Sequence, residues 1–179
     1  MTEPTVDTKL PHAQRVGVVV ERRDSANPWS DGSWHSVEAI DVTSDDAAWA
    51  SREQGDGWQR FFAGNLDVEL FKRETVAYKT NLSQPIPTLY IVLRPGEDDD
   101  EPDVVPFLAT ASPYEAEDYT ESGEMIVDSV PMPQSLITWV GAFIEAFHVD
   151  EPFKKRKQRR KSDSATGRPG NDMRPKNDR

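Results

Sequence analysis

Short apolar and β-branched runs, separated by turn residues, predict that most of this chain forms β-strands. RVGVVVER, residues 15–22, is one such run, and HSVEAIDV, residues 35–42, follows it after Asn-Pro and Asp-Gly pairs that are typical of turns. The consecutive apolar residues 89–93 predict a strand that is covered on both faces, near the middle of a sheet. Further strands are predicted at RFFA, LDVELF, VPFLATA and EMIVDSV, and the Gly64-Asn65 pair between the first two predicts a tight hairpin.

Four other segments carry helix signals. Residues 43–57 combine a capping serine with two aspartates and closing glycines, and residues 73–82 have helical spacing before two prolines. Residues 112–123 open with Ser-Pro, carry a glutamate three positions after the serine and close on glycine, which is a complete helix start and stop. Residues 134–149 predict a helix that packs over the sheet through one apolar stripe, which consists of Leu136, Trp139, Val140, Phe143 and Phe147.

These elements predict an α+β protein. We expect a mostly antiparallel sheet of about seven strands with three or four helices, of which the C-terminal one packs on the sheet. Residues 1–14 are predicted to be a flexible lead-in and residues 15–153 a single α+β domain. Residues 154–179 are predicted to be a disordered basic tail, because a segment rich in Gly, Pro and polar residues buries little surface.

The composition restricts the compartment. The chain of 179 residues contains no cysteine, which excludes disulfides, thiolate metal sites and thiol nucleophiles and is typical of a reducing interior. Its N-terminus has no basic start followed by an apolar run, and its longest apolar runs are far shorter than a membrane span. We therefore expect a cytoplasmic protein without a membrane span.

The chain contains residue types that catalyse reactions in other proteins, but their spacing matches no known catalytic or ligand-binding motif. His12, His35 and His148 lie far apart, so none has a partner at metal-ligand spacing. The glycines of QGDGWQ precede a predicted strand, whereas a phosphate loop needs glycines that open a helix, and no Gly-x-Ser-x-Gly motif is present. The carboxylates of residues 114–124 and 97–101 are typical of a helix start and a charged turn. We therefore predict no catalytic residue, no metal ligand and no cofactor.

Charge divides the chain into two opposite segments. The formal net charge is −11, but residues 154–179 hold eleven basic and three acidic residues, or +8, so residues 1–153 carry −19. Four interpretations are open for this tail. It contacts nucleic acid, it contacts anionic lipid, it docks on an acidic protein surface, or it docks on the chain's own acidic body or serves solubility alone. Seven of its cations form one basic cluster, which consists of Lys154, Lys155, Arg156, Lys157, Arg159, Arg160 and Lys161.

An acidic protein surface is the partner that we favour for the basic cluster. The tethered acidic body repels polyanions and competes for the cluster at an effective concentration that reaches roughly millimolar. Non-specific nucleic-acid binding is weak, with a Kd of roughly 10⁻⁴ to 10⁻⁶ M, and the tail has no aromatic residue after Phe153 for base stacking. We therefore expect no specific nucleic acid, and transient docking on an acidic protein in which charge raises the encounter rate.

Two tryptophans flank a predicted loop. Trp29 and Trp34 stand on either side of SDGS, whereas Trp49, Trp58 and Trp139 stand in predicted elements and are expected in the core. An exposed aromatic loop is a recognition surface, and the alternative is a loop that folds back over a sheet edge. We count Trp29 and Trp34 with the basic cluster as candidate partner-binding residues.

Several segments, taken in order, resemble an uncharacterised bacterial family that is classed as a domain of unknown function. They are VGVVVERR…NPW, AYKTNL…LYIVLR, ATASPYEAEDY and EPFKKRK, and the resemblance spans roughly residues 15–160. Members of that family are typically encoded beside genes of molybdenum-dependent formate dehydrogenases. The resemblance implies a role in the biogenesis or regulation of that enzyme, and it carries over no catalytic residue.

Some members of that family are labelled molybdopterin-guanine dinucleotide biosynthesis protein A. That nucleotidyltransferase holds GTP with a glycine-rich N-terminal loop and a basic residue, and nothing in residues 1–40 matches it. The leading hypothesis is a non-catalytic accessory or interaction protein whose partner is a formate dehydrogenase subunit or maturation factor. The alternative is a small-ligand or nucleotide-binding domain that acts, as an enzyme or otherwise, on a molybdenum-cofactor precursor. The sequence leaves the oligomeric state open.

Overall fold

The computed structural model describes residues 10–42 and 47–150, which form an α+β fold. Seven strands make one mostly antiparallel sheet, as predicted. The strands are β1 (Ala13–Arg23), β2 (Ser33–Asp41), β3 (Ala50–Gly55), β4 (Trp58–Glu69), β5 (Thr88–Pro95), β6 (Val104–Thr110) and β7 (Ile126–Pro131). The α-helices of the described residues are α1 (Thr75–Leu82), α2 (Pro113–Ser122) and α3 (Gln134–Phe147), and a 3₁₀ turn, Lys72–Glu74, precedes α1.

The sheet curls until its two outer strands approach each other. The strand order is β2-β1-β4-β6-β5-β7, with β3 also paired to β4, and the β4–β6 pair is parallel. The Ser36 backbone N–H of β2 donates to Asp128 of β7 at 2.6 Å, and His35 Nδ1 lies 3.0 Å from the same carboxylate. These contacts make the sheet nearly barrel-shaped.

The core lies between the concave face of this sheet and α3. Alternate residues of β1, Val16, Val18 and Val20, point into it, because side chains alternate between the two faces of a strand. The predicted stripe of α3 meets them, since its first four members are buried and Phe147 is half-buried. None of the described helices is both long enough and apolar enough to cross a bilayer.

Helix α2 forms as its sequence predicts. The Ser112 hydroxyl accepts a hydrogen bond from the Glu115 backbone N–H, Pro113 occupies the first helical position, and the helix ends at the left-handed Gly123. Strand β5 lies between β6 and β7, as its apolar run predicts. Local sequence signals therefore determine these elements.

The hairpin predicted at Gly64-Asn65 is wrong, because both residues lie inside the continuous strand β4. Gly64 has a φ of 117° and pairs with Val18, where the register between β1 and β4 shifts. A glycine with positive φ serves a β-bulge as well as it serves a turn. The hairpin lies instead at Asp56-Gly57, between β3 and β4, where the φ of Gly57 is 74°.

The helix predicted at residues 43–57 is wrong over its described part. Ala50–Gly55 form the edge strand β3, whose side chains are almost all exposed, so neither a helical stripe nor a strand alternation marks it in the sequence. Residues 43–46, with the capping serine and both aspartates, lie outside the described residues.

The described chain starts close to the core. Strand β1 begins at Ala13, before the predicted boundary at residue 15, and the Trp139 indole donates to the Pro11 carbonyl at 2.8 Å. Residues 1–9 of the lead-in and residues 151–179, which include the basic cluster, lie outside the described residues.

Candidate functional site

The two predicted tryptophans lie at one end of the sheet, in different surroundings. Trp29 stands in the loop between β1 and β2 and is 93% exposed. That loop is held by a hydrogen bond within itself, from the Trp29 backbone N–H to Asn27 Oδ1 at 3.1 Å, and by one to the β3–β4 turn, from the Asp24 N–H to the Gly57 carbonyl at 2.9 Å. Trp29 is therefore an exposed aromatic side chain on an ordered loop.

Trp34 does not share that exposure. It is half-buried in β2, where its ring lies 5.9 Å from the Trp49 ring and 5.8 Å from the Phe61 ring, and its indole donates to Asp103 Oδ2 at 3.2 Å. For Trp34, therefore, the alternative interpretation holds, in which the aromatic side chain packs back on the sheet. Of the three tryptophans expected in the core, Trp139 is buried, whereas Trp49 and Trp58 are only half-buried.

Trp49 holds an unusual backbone conformation. Its φ is 68°, the only positive value at a non-glycine residue in the described part of the chain, and its N–H donates to the Phe62 carbonyl. The left-handed region costs a bulky residue roughly 1 to 2 kcal/mol. Contacts with Trp34 and Phe61 offset this cost, because they bury part of the indole ring.

Carboxylates dominate the surface beside Trp34. A depression of about 510 Å³ opens between the β1–β2 and β5–β6 loops. Its acidic lining residues are Asp31, Asp98, Asp99, Glu101 and Asp103. Such a lining attracts cations and repels phosphates. We call this region, residues 24–34 and 96–103, the acidic end of the sheet.

A bidentate ion pair between Arg94 and Glu101 stabilises the β5–β6 loop. The Arg94 guanidinium donates to both oxygens of Glu101, at 2.8 and 2.9 Å, and the Glu97 N–H adds a third hydrogen bond at 2.9 Å. The hydrogen bonds from Arg94, and then that from Glu97, lower the pKa of Glu101 from its ordinary 4.5 to about 2. The loop is therefore ordered by charge as well as by backbone bonding.

Glu101→Gln is expected to lower the melting temperature at neutral pH and to have little effect near pH 2. Because the pKa of Glu101 is depressed by folding, the stability that its ion pair adds is complete above about pH 4.5 and is lost as the pH falls toward about 2. Melting curves of both proteins across this range should converge as the pH falls. A difference that stays constant with pH would contradict the assignment.

A buried carboxylate that the sequence analysis missed joins three strands. Glu21 of β1 is 3% exposed and accepts hydrogen bonds from Arg23 Nε at 2.5 Å and Arg60 Nε at 2.8 Å, while Arg60 also reaches Glu53 of β3 at 3.1 Å. Burial disfavours the charged form of Glu21, but the hydrogen bonds from Arg60 and Arg23 outweigh it and lower its pKa. The signal in the sequence is a glutamate that directly follows three valines.

The histidines lie at three separate places. His35 contacts Asp128, His148 Nδ1 lies 3.1 Å from Thr75 Oγ1, and the His12 ring lies against Phe143 and Phe147. Within residues 10–42 and 47–150, no three metal-ligating side chains converge.

The model of a family described as "Protein of unknown function (DUF3305)" matches residues 15–157. The matched range begins in β1, includes every other described strand and helix, and extends to Lys157 in the basic cluster. Neither the curated proteins nor the solved structures contain a match to the chain.

Proposed function

The chain belongs to the DUF3305 family of proteins of unknown function, and from that premise we propose that it is a non-catalytic accessory protein. It acts in the biogenesis or regulation of a molybdenum-dependent formate dehydrogenase, by binding a subunit or a maturation factor of that enzyme. The folded body and the basic cluster share this binding. The link to formate dehydrogenase comes from the sequence resemblance, whereas the role in binding is supported by the surface of the described residues.

Exposed Trp29 is the observation that carries the role in binding. Tryptophan buries roughly 150 to 250 Å² when it enters an interface, and it is enriched among the residues that dominate binding energy. The hydrogen bonds of Asn27 and Asp24 already order the loop, so binding costs little additional conformational entropy there. An ordered loop that presents a 93% exposed indole suits a partner with an apolar pocket.

The charges of the chain define the other requirements of this partner. Carboxylates surround the acidic end, so the partner surface near Trp29 must be neutral or basic, while the basic cluster requires an acidic region elsewhere on the same partner. The nucleotide-binding alternative gains no support from the depression beside Trp34, because its carboxylates repel phosphate groups.

Affinity capture from the native host is expected to recover a formate dehydrogenase subunit or maturation factor with the full chain. Trp29→Ala should weaken the binding of the purified partner by about tenfold or more, because it removes the anchoring ring. Glutamine at the seven positions of the basic cluster should slow association and reduce its salt dependence. Ile86→Ala, which shortens another exposed apolar side chain, is the control and should bind as the wild type does.

Two results would contradict this proposal. The first is the recovery of neither a dehydrogenase subunit nor a maturation factor by the full chain. The second is a rise in melting temperature with GTP, molybdate or a pterin precursor, which would favour the ligand-binding alternative because a ligand that binds the folded state stabilises it.

A further inference from the structure

A groove opens at the opposite end of the sheet, where β4 and β6 meet. Their parallel pairing consists of one residue pair, Val68 with Ala109, and β3 lies along the same edge of β4 but beside residues 58–62. Two adjoining depressions, of about 300 and 240 Å³, lie where β4 and β6 meet. Phe71 and Glu115 line both of them. We call them together the β4–β6 groove. Strand β1 spans roughly 30 Å between this end and the acidic end.

The groove exposes three aromatic side chains. Phe71, Phe107 and Tyr114 are 40%, 44% and 53% exposed. Phe107 is held by an edge contact with the Tyr119 ring at 5.9 Å, and the Phe71 backbone N–H donates to the Tyr78 hydroxyl at 3.1 Å. The Phe107 ring and the Phe71 backbone are therefore held by the fold, while all three aromatic side chains remain partly exposed to solvent. Exposed apolar surface of this kind marks interaction sites.

Carboxylates line this apolar floor. They are Asp67, Glu69, Glu74, Glu115 and Asp118, against one cation of the lining, Arg73. Two of them have partners, since Asp67 pairs with Arg15 at 3.2 Å and Glu74 accepts from the Ser112 hydroxyl at 3.2 Å. The lining residues sum to a formal charge of −4, or −3 when Arg15 is counted with Asp67, and this charge attracts basic side chains and repels acidic ones.

We infer that the β4–β6 groove is a docking site for a partner segment that carries lysine or arginine beside aromatic or leucine anchors. The anchors would pack on Phe71, Phe107 and Tyr114, and the cations would face Glu115 and Asp118. A cation above an exposed ring gains a further attraction, as Arg73 does 5.4 Å from the Phe71 ring centre. An acidic apolar segment would be repelled by the carboxylates, and a polycation without apolar residues would leave the aromatic side chains uncovered. The inference goes beyond the proposed function and does not depend on formate dehydrogenase.

Selection of displayed random peptides of about twelve residues on the immobilised full chain tests this inference. The enriched peptides should combine basic and apolar residues. In fluorescence anisotropy, a fluorescein-labelled selected peptide should lose at least about tenfold in affinity with Phe107→Ala or Asp118→Lys. Asp99→Lys makes the same charge change at the acidic end, and Ile86→Ala removes apolar surface outside the groove, so both controls should bind within about twofold of the wild type.

Each of the following outcomes would overturn the inference. Enriched peptides without basic residues, or equal losses with Asp118→Lys and Asp99→Lys, would mean that the groove does not select its occupant. Self-association that Phe107→Ala abolishes would assign the groove to a second copy of the chain. Peptide binding that tightens about tenfold when the basic cluster is changed to glutamine would assign the groove to the chain's own basic cluster instead of to a partner segment. Thermal melting should confirm that Phe107→Ala and Asp118→Lys remain folded, since both positions are exposed.

Discussion

Asn81→Ala is expected to lower the free energy of unfolding by about 2 to 5 kcal/mol. The Asn81 side chain is 2% exposed, and its Nδ2 donates to the carbonyls of Thr88 at 2.7 Å and Ala111 at 2.8 Å, while its Oδ1 accepts from the Thr88 N–H at 2.9 Å. Alanine would leave unpaired one donor and one acceptor of the half-buried Thr88 backbone and the buried acceptor of Ala111. Asn81 therefore joins the end of α1 to the start of β5 and to the residue after β6.

Urea unfolding followed by tryptophan fluorescence measures this loss. Thr80→Ala, an exposed change one position earlier in the same helix, is the control and should cost no more than about 0.5 kcal/mol. Asn81→Asp keeps the acceptor but loses both donors and places a carboxylate beside two carbonyls, so it should destabilise at neutral pH as well. A loss below about 1 kcal/mol with both Asn81 variants would show that the hydrogen bonds of Asn81 are not needed.

The parts of the fold that the sequence predicts are those in which local signals agree. Around α2, the serine cap, the proline and the closing glycine all indicate the same helix, and the five apolar residues of β5 fit only a strand with neighbours on both sides. The stripe of α3 likewise predicts its buried face, from Leu136 to Phe143. In each case the spacing within one element is sufficient to identify it.

The wrong predictions concern signals that fit two structures. A glycine next to asparagine fits a hairpin turn, but Gly64 serves a bulge because β1 holds β4 as one long strand. The glycines at 55 and 57 fit the end of a helix, but Ala50–Gly55 form β3 and the Asp56-Gly57 turn leads from β3 into β4. Pairing with β4 decides both cases, and single-sequence patterns contain no information about that pairing.

Candidate sites are predictable only where one segment contains them. Trp29 is a candidate because of its own loop, whereas Trp34 is covered by Trp49, which directly precedes β3, and by Phe61 of β4. The β4–β6 groove has no sequence signature, because its walls come from segments more than thirty positions apart that meet through the single parallel pair Val68–Ala109. Asn81 and Ala111, thirty positions apart, illustrate the same limit.

Phe143 links the core to the β4–β6 groove. Its ring is fully buried and lies 4.7 Å from the Phe147 ring, 5.8 Å from the His12 ring and 6.4 Å from the Tyr78 ring. Tyr78 is buried as well, and burial raises its pKa to about 12, so its hydroxyl remains protonated while it accepts from the Phe71 N–H. Removing the Phe143 ring should therefore destabilise α3 and release the support of Phe71.

Phe143→Ala is expected to lower the free energy of unfolding by about 3 to 5 kcal/mol, because it leaves a cavity between α3, α1 and the segment at His12. Phe143→Leu fills most of that space and should cost about 1 to 1.5 kcal/mol, whereas Glu145→Ala on the exposed side of α3 should stay within about 0.5 kcal/mol. Urea unfolding with an unchanged slope measures these losses. Equal stability of the alanine and leucine variants would contradict the packing assigned to α3, since the cavity would then have no cost.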